Sequence, residues 1–310
     1  MSATARLARR LALGTAIAIG ITAAGLASEV GAALPDEDFE QLYFEEAPDR
    51  YAKDQTLIEI DGTYHLFYVS GSPDGGWAVP GDEVAFGHAT STDLEHWTVH
   101  GPVLGIDPQN GWKARNVWAP HVVATDLPFA GTNWAYVMAY AGVDSSYNQR
   151  IGFAASDDLF AWTDLSVANA AYHPDPNWAD WDAAGEWSAC RDPFLAELNG
   201  GFVLLATAFT HPGYGGTGRR GAVALATSPD GVVWTDAGVP MVTNDDSSLM
   251  SAVYLQENPV TGDWHLMYTR TADPGGVHYL TSAFPIGGWD VATAELLDPL
   301  SFASEIETVG

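Results

Sequence analysis

Two aspartates occupy equivalent positions in two stretches of sequence that are typical of β-hairpins. Asp54 stands seven residues before Asp61, and Asp192 stands seven residues before Asn199. Asp61 and Asn199 are each followed by glycine, and Asp-Gly and Asn-Gly pairs favour a tight turn between two strands. The equal distances to the turn predict that both carboxylates lie at the same level of two different sheets. Carboxyl groups that converge on one pocket can take part in acid–base or nucleophilic chemistry.

A second pattern indicates which elements carry these aspartates. Serine and aspartate side chains bond the nearby backbone in turns, and tryptophan fills space between sheets. The order Ser-x-Asp-x-x-x-Trp-Thr appears at residues 91–98, 156–163 and 228–235, with a degenerate copy around 279–289. Alternating apolar patterns, which favour β-strands, precede the copies at 63–68, 134–140, 201–205 and 264–268. Each unit therefore predicts a four-stranded antiparallel sheet.

Four-stranded units repeated along a chain are typical of a β-propeller, in which the sheets are arranged radially as blades. Units open near Asp54, Trp118, Arg191 and Met250, and a fifth opening is expected at residues 302–306. The sequence therefore predicts an all-β, five-bladed β-propeller whose fifth blade is incomplete in this chain of 310 residues. Because the first strand of each blade lines the central channel, polar residues at the blade openings are expected to converge on one pocket.

The blade openings resemble those of two related families of glycoside hydrolases. Asp54 in Asp-Gln-Thr-Leu-Ile, followed by residues 61–68, looks like the first blade of glycoside hydrolase family 43. The triplet Arg-Asp-Pro that contains Asp192 is similar to a signature of family 32, and Trp-Ala-Pro-His at 118–121 resembles the Trp-Ala-Pro-Asp of family 43. The resemblance covers roughly residues 45–306 and implies a five-bladed propeller, an extracellular saccharide substrate and three essential carboxylates.

The resemblance also implies roles for individual carboxylates. Asp54 would be the general base of a family 43 mechanism or the nucleophile of a family 32 mechanism, and Asp192 would orient or tune its partners. The acid is expected at the fourth opening, where this chain has Met250 and Ser251 instead. Glu305 in the fifth opening is the preferred substitute, and Glu186, in the loop before Asp192, is the next.

Aromatic and basic residues near the openings are candidates for binding substrate. Trp118 and Arg191 flank the blade openings, and the insertion at 176–187 contributes Trp181 and Trp187, whose rings could stack on sugars or pack within the loop. His121 replaces the aspartate of the family 43 pattern. It could bond sugar hydroxyls, approach a metal in the channel, or serve only the structure.

The N-terminus has the three-part layout of an export signal. Three arginines precede an apolar run from Leu11 to Leu26, and small residues end at Ala33. The run is shorter than the roughly 20 residues that span a bilayer, although a membrane anchor is the competing interpretation. We expect residues 1–33 to be a signal peptide, residues 34–310 to form the propeller, and the product to be secreted or periplasmic without membrane attachment.

Charge and cysteine content narrow the classes of partner. The formal net charge of −28 repels nucleic acid. The single cysteine excludes an internal disulfide, so the core alone must hold the fold together. The nine histidines lack zinc spacing and the acidic runs lack a calcium-loop pattern, so no metal and no cofactor is predicted, although a structural cation in the channel stays open. A monomer with an oligo- or polysaccharide partner is expected.

These observations together favour a hydrolase of furanosidic or pentose-containing glycans, such as arabinan, arabinoxylan or fructan. Two alternatives remain. The missing acid at the fourth opening would suit a propeller that binds glycan without cleaving it. A fructosyl transferase would differ from the hydrolase only in its acceptor, which the sequence does not reveal.

Overall fold

The computed structural model describes residues 44, 46–47, 49–166, 172–215, 218–243, 250–270, 275–298 and the backbone of 308–309. These residues fold into four sheets, in each of which four strands consecutive in sequence pair antiparallel. Blade 1 contains β1 (Tyr51–Ile60), β2 (Thr63–Gly71), β3 (Ala85–Ser91), β4 (Thr98–Val99) and β5 (Leu104–Gly105). Blade 2 contains β6 (Asn116–Ala124), β7 (Tyr136–Val143), β8 (Gln149–Ser156) and β9 (Thr163–Asp164).

The other two sheets follow the same order. Blade 3 contains β10 (Cys190–Leu198), β11 (Gly201–Phe209), β12 (Gly221–Ser228) and β13 (Thr235–Val242). Blade 4 contains β14 (Met250–Glu257), β15 (Trp264–Arg270), β16 (Gly276–Ser282) and β17 (Glu295–Asp298). A short strand, β18 (Thr308–Val309), pairs in parallel with β1.

The repeated Ser-x-Asp motif forms the turn between the third and fourth strands of blades 1, 2 and 3. In blade 2, Ser156 Oγ accepts a hydrogen bond from the backbone N–H of Leu159 at 2.9 Å, and Asp158 Oδ1 accepts from Phe160 at 2.8 Å. The indole N–H of Trp162 closes the turn on the carbonyl of Leu159 at 3.1 Å. Leu159 has a φ of 67°. The turn therefore bends the chain through a left-handed residue that local side chains hold in place.

A β-bulge interrupts the first strand of every blade. The pairing between first and second strands shifts register after Lys53, Trp118, Arg191 and Ser251. In the first three blades the residue that follows has a φ near 50°: Asp54, Ala119 and Asp192. A bulge re-aims a side chain relative to the regular pleat. Asp54 and Asp192 thus occupy the same structural position in blades 1 and 3, which confirms the equivalence predicted from their spacing.

The core lies between the blades. The first strands contact one another in the order β1, β6, β10, β14, so blades 1 to 4 follow one another around the central axis. One apolar cluster joins blades 1, 2 and 3, and a second joins blades 3 and 4 through residues such as Phe194, Leu255 and Tyr268. Because the single cysteine cannot form an internal disulfide, burial of apolar side chains between the blades must stabilise the fold.

The all-β propeller prediction is confirmed, but the number of blades is corrected from five to four. The described residues build four complete sheets, and the expected fifth opening at 302–306 lies outside them. The predicted signal at 1–33 also lies outside the described residues. Within the part of the chain that is described, no helix is long and apolar enough to cross a membrane.

Candidate active site

The bulged ends of the first strands open into a pocket of about 300 Å³. Its lining comes from blades 1, 2 and 3 and includes both aspartates that the sequence singled out. The lining residues are Lys53, Asp54, Trp77, Trp118, Gln149, Trp187, Ala189, Arg191, Asp192, Phe209 and Arg219. The side chains of Asp54 and Asp192 are 8% and 9% exposed, so both carboxylates are largely removed from bulk water. A pocket of this kind presents two carboxyl groups to one bound molecule.

Asp54 lies beside a cation that is shared with a second carboxylate. Lys53 Nζ is 3.9 Å from Asp54 Oδ2 and 3.1 Å from Glu83 Oε1. The ammonium also lies over the indole of Trp118, 5.7 Å from the ring centroid. Positive charge next to a buried carboxylate offsets part of the cost of removing it from water.

Glu83 lies behind these lining residues and is 1% exposed. Its carboxylate accepts a hydrogen bond from Trp118 Nε1 at 2.6 Å and another from the Tyr51 hydroxyl. Burial and the neighbouring Glu83 carboxylate raise the pKa of Tyr51 well above its usual value, so the phenol stays a donor. Glu83 thus ties one wall of the pocket, formed by Lys53 and Trp118, to the body of blade 1.

Asp192 is flanked by basic groups on the opposite side. Arg191 Nε is 3.4 Å from Asp192 Oδ2, and the Arg191 guanidinium donates to Gln149 Oε1 at 3.5 Å. The ring of Phe209 supports the guanidinium of Arg219, whose Cζ lies 4.2 Å from the ring centroid. Arg219 Nε in turn meets Asp180 Oδ2 at 2.9 Å, outside the pocket lining. Both pocket carboxylates therefore carry an adjacent cation.

Three aromatic residues from separate loops form a platform at the rim. Tyr147 and Trp187 stack with centroids 4.1 Å apart, and Trp77 meets Trp187 edge-on at 5.1 Å. Trp77 and Trp187 are 43% and 42% exposed, which is unusual for residues of their size. Tyr147 and Trp187 also have φ values of 64° and 61°. Bulky side chains held in this costly backbone region often mark functional positions.

Two of the candidates for substrate binding, His121 and Trp181, do not line the pocket, and both make the structural contacts that the sequence left open for them. His121 is 3% exposed, and its Nδ1 accepts a hydrogen bond from the backbone N–H of Leu195 at 3.2 Å. Burial lowers the pKa of His121 to about 3, so the ring is neutral and acts as an acceptor between blades 2 and 3.

Trp181 is likewise packed inward. Its indole N–H donates to the carbonyl of Gln149 at 2.9 Å, and its ring stacks on His173 with centroids 3.9 Å apart. Because Gln149 is a lining residue, Trp181 supports the pocket from behind. Trp118, Arg191 and Trp187, in contrast, line the pocket as the sequence predicted.

The two candidates for a general acid are not brought to the pocket by the described residues. Glu186 is exposed and absent from the lining, although its neighbour Trp187 belongs to it. Glu305 lies outside the described residues. In blade 4 the position equivalent to Asp54, by strand register, is Ala252. No group of three or more histidine, cysteine, aspartate or glutamate side chains suited to a metal ion occurs in the described ranges.

Sequence reasoning missed Glu83, Trp77 and Arg219. Arg219 stands in a glycine-rich segment, and Trp77 follows two glycines, so each carried a weak signal of an exposed aromatic or basic group in a loop. Glu83 carried none, because an Asp-Glu pair in a loop normally faces solvent.

Comparison with solved structures supports the fold. A family 32 beta-fructofuranosidase from Bombyx mori superimposes with a TM-score of 0.58 at 17% identity, over 80% of this chain and 50% of that one. A thermostable family 43 glycoside hydrolase gives a TM-score of 0.53 at 14% identity, over 77% of this chain and 71% of the other. At such identities the likeness establishes a shared propeller architecture.

Sequence relatives and a family description match the same region. Fructan 6-exohydrolase from Beta vulgaris is 26% identical over 223 residues, which are 69% of this chain and 33% of that protein. Beta-fructofuranosidase 1 from Zea mays is 35% identical over 137 residues, 43% of this chain and 19% of that protein. The chain thus spans about a third or less of these relatives. The description "Glycosyl hydrolases family 32 N-terminal domain" matches residues 47–259, and the chain belongs to this family.

Proposed function

We propose that the chain is a glycoside hydrolase that cleaves a fructan-type saccharide with Asp54 as nucleophile. The observation that carries the proposal is the placement of Asp54 and Asp192 at equivalent bulges, where both face one pocket. Hydrolysis of a glycosidic bond uses one carboxylate as nucleophile or base and a second carboxyl group as acid, and the proposal gives Asp54 the first of these roles. The relatives named fructan 6-exohydrolase and beta-fructofuranosidase support fructan over arabinan or arabinoxylan as the substrate class.

The lining supports a division of labour between the two aspartates. In the retaining mechanism the Asp54 carboxylate attacks the anomeric carbon while an acid protonates the departing oxygen, and water then cleaves the covalent ester. Asp192, paired with Arg191, holds sugar hydroxyls and offsets the positive charge that develops on the ring. Glu305 is our first candidate for the acid and Glu186 our second.

The platform of Trp77, Tyr147 and Trp187 supports a saccharide longer than one sugar. Indole rings stack on the apolar faces of sugar rings, and Trp77 and Trp187 both line the pocket while staying 43% and 42% exposed. A sugar that reaches Asp54 would therefore carry its attached residue across the platform. We propose an oligo- or polysaccharide substrate, cleaved by a monomer that is exported by residues 1–33 to the periplasm or the medium.

A second candidate function is glycan binding without cleavage. It is favoured by the register of β14, which puts Ala252 where blades 1 and 3 have Asp54 and Asp192. The described lining then contains two aspartates and no glutamate. Transfer of a fructosyl group to a sugar acceptor instead of water is a further variant of the first proposal.

The experiment is sugar release by the purified protein from levan, inulin and sucrose, with arabinan and arabinoxylan in parallel. We expect fructose from at least one of the first three and no pentose from the last two. Glu305→Gln and Glu186→Gln, measured on the same substrate, assign the acid, since only the variant lacking it loses the rate. Binding to levan or inulin with no release from any substrate would contradict hydrolysis and support the second candidate.

A further inference from the structure

We infer that Glu83 is a positioning residue that holds the Lys53 ammonium 3.9 Å from Asp54 and so prevents a close ion pair at the carboxylate proposed to attack the substrate. The inference rests on the proposed role of Asp54 as nucleophile. Glu83 does not line the pocket. It acts through Lys53, which does.

Glu83 is a buried charge in a strained place. Its residue is 1% exposed, and its φ of 52° lies in the left-handed region that non-glycine residues rarely occupy. Its backbone carbonyl accepts a hydrogen bond from Val117 N–H at 3.1 Å, which links the loop after β2 to the start of β6. Burying a carboxylate and straining its backbone both cost free energy, so the site must be held by compensating contacts.

Those contacts come from three donors, and two of them are pocket residues. Tyr51 OH and Trp118 Nε1 donate to the carboxylate, and Lys53 Nζ lies 3.1 Å from Oε1. The two glutamate oxygens thus set the position of one indole and one ammonium on the Asp54 side of the pocket. An ion pair between Glu83 and Lys53 alone would not require the additional hydrogen bond from the Trp118 indole.

The inference rests on the distances from Lys53 Nζ to the carboxylates of Glu83 and Asp54. The ammonium is 3.1 Å from Glu83, within a hydrogen-bonded ion pair, and 3.9 Å from Asp54, beyond hydrogen-bond length. Glu83 is the stronger partner of the two in this arrangement. Of these two carboxylates, Asp54 is the one that Lys53 would still have beside it without the charge of Glu83, and a close ion pair would cover a carboxylate oxygen of the proposed nucleophile.

The alternative role for Glu83 is a clamp between blades 1 and 2 with no bearing on Lys53. Both roles predict some loss of stability when Glu83 is changed. They differ in what happens to Lys53, and in whether removing Lys53 repairs the defect.

The test is the structure of Glu83→Gln, with Tyr51→Phe as the matched control that removes one donor but keeps the charge. We expect Lys53 Nζ to approach Asp54 to hydrogen-bond distance in Glu83→Gln and to stay near 3.9 Å in the control. An ammonium that stays in place in Glu83→Gln would overturn the inference, whether or not the protein hydrolyses fructan. Should this isosteric variant fail to fold, Glu83→Asp shortens the side chain by one methylene and is expected to release Lys53 in the same way.

Kinetics give the second readout. For the substrate identified by sugar release, Glu83→Gln is expected to lower kcat by about 100-fold with a small change in KM, the scale expected for a misplaced reacting group. Lys53→Met combined with Glu83→Gln should recover at least tenfold of that loss. A double variant as slow as the single one, at equal melting temperature, would assign Glu83 to the clamp alone.

Discussion

Asp54 and Asp192 each sit next to a basic residue in sequence, and in the folded protein that neighbour stays beside the carboxylate. Lys53 lies 3.9 Å from Asp54, and Arg191 lies 3.4 Å from Asp192. The bulge makes this possible, since its extra residue lets consecutive side chains share one side of the strand. A basic residue followed by Asp near the start of a strand is therefore a local sequence signal for a charged pocket.

At the same scale, the aromatic platform gives a prediction for binding. Trp187→Ala removes the stacked face at the rim, and we expect KM for a fructo-oligosaccharide to rise about tenfold, which corresponds to about 1.4 kcal/mol. The change in KM for sucrose should be smaller if the platform holds more distant sugars. Phe284→Ala, an exposed aromatic outside the pocket lining, is the control and should leave both values unchanged. Equal effects of the two variants would show that the platform does not bind substrate.

The two substrate-binding candidates that do not line the pocket share a physical cause. His121 and Trp181 have the right chemistry for sugar contacts, yet the register of their segments turns them inward, where each bonds a backbone group. Glu83 shows the reverse case, a charged loop residue that becomes buried because three donors from β1 and β6 meet it. Neither outcome follows from residue type, because both depend on contacts between distant parts of the chain.

At the scale of elements, the repeat predicted the sheets and their turns well. The hairpin signals and the Ser-x-Asp turns correspond to strand connections in the structure, for example at Asp61 and at Ser156. The bulges were not predicted, since nothing in the local sequence of β6 distinguishes a bulge from a regular strand, and Ala119 has no side-chain chemistry to mark it. Only the aspartates at two of the equivalent positions revealed that the openings matter.

The contact between blades 2 and 3 through His121 predicts how stability depends on pH. The unfolded chain binds a proton at His121 below about pH 6.5, whereas the folded ring, whose pKa is about 3, does not. As the pH is lowered from 6.5 to 3, the contribution of His121 to the free energy of unfolding should therefore fall by about 1.4 kcal/mol for each pH unit. His121→Gln keeps an acceptor for the Leu195 N–H and cannot titrate, so urea unfolding from pH 7 to pH 4.5 should show a flatter curve.

His96 provides the control for that measurement. It is exposed, and the Asp93 carboxylate raises its pKa, so proton binding there favours the folded state. His96→Gln should not flatten the curve. A wild-type slope in His121→Gln would contradict the assignment of His121 as a neutral acceptor between blades.

At the scale of the whole molecule, the propeller class followed from the repeat, while the blade count did not. The four described sheets account for the strand signals from residue 51 to residue 298. The fifth opening was inferred from one short apolar segment at 302–306, and a single strand signal cannot specify a sheet without its pairing partners. The pocket is nevertheless recognisable from sequence, because the blades that supply Asp54 and Asp192 both carry strong hairpin and turn signals.

The central claim is that the Asp54 carboxylate performs the reaction in a pocket formed by blades 1, 2 and 3. Fructose release from levan, inulin and sucrose by wild type, Asp54→Asn and Asp61→Asn tests it most directly. Asp61 is the matched control because it is an exposed aspartate with a positive φ, in the turn between β1 and β2. Asparagine is also tolerated in that backbone conformation. We expect Asp54→Asn to lower the rate on the order of a thousandfold or more and Asp61→Asn to retain it. A folded Asp54→Asn variant that releases fructose at the wild-type rate would contradict the account.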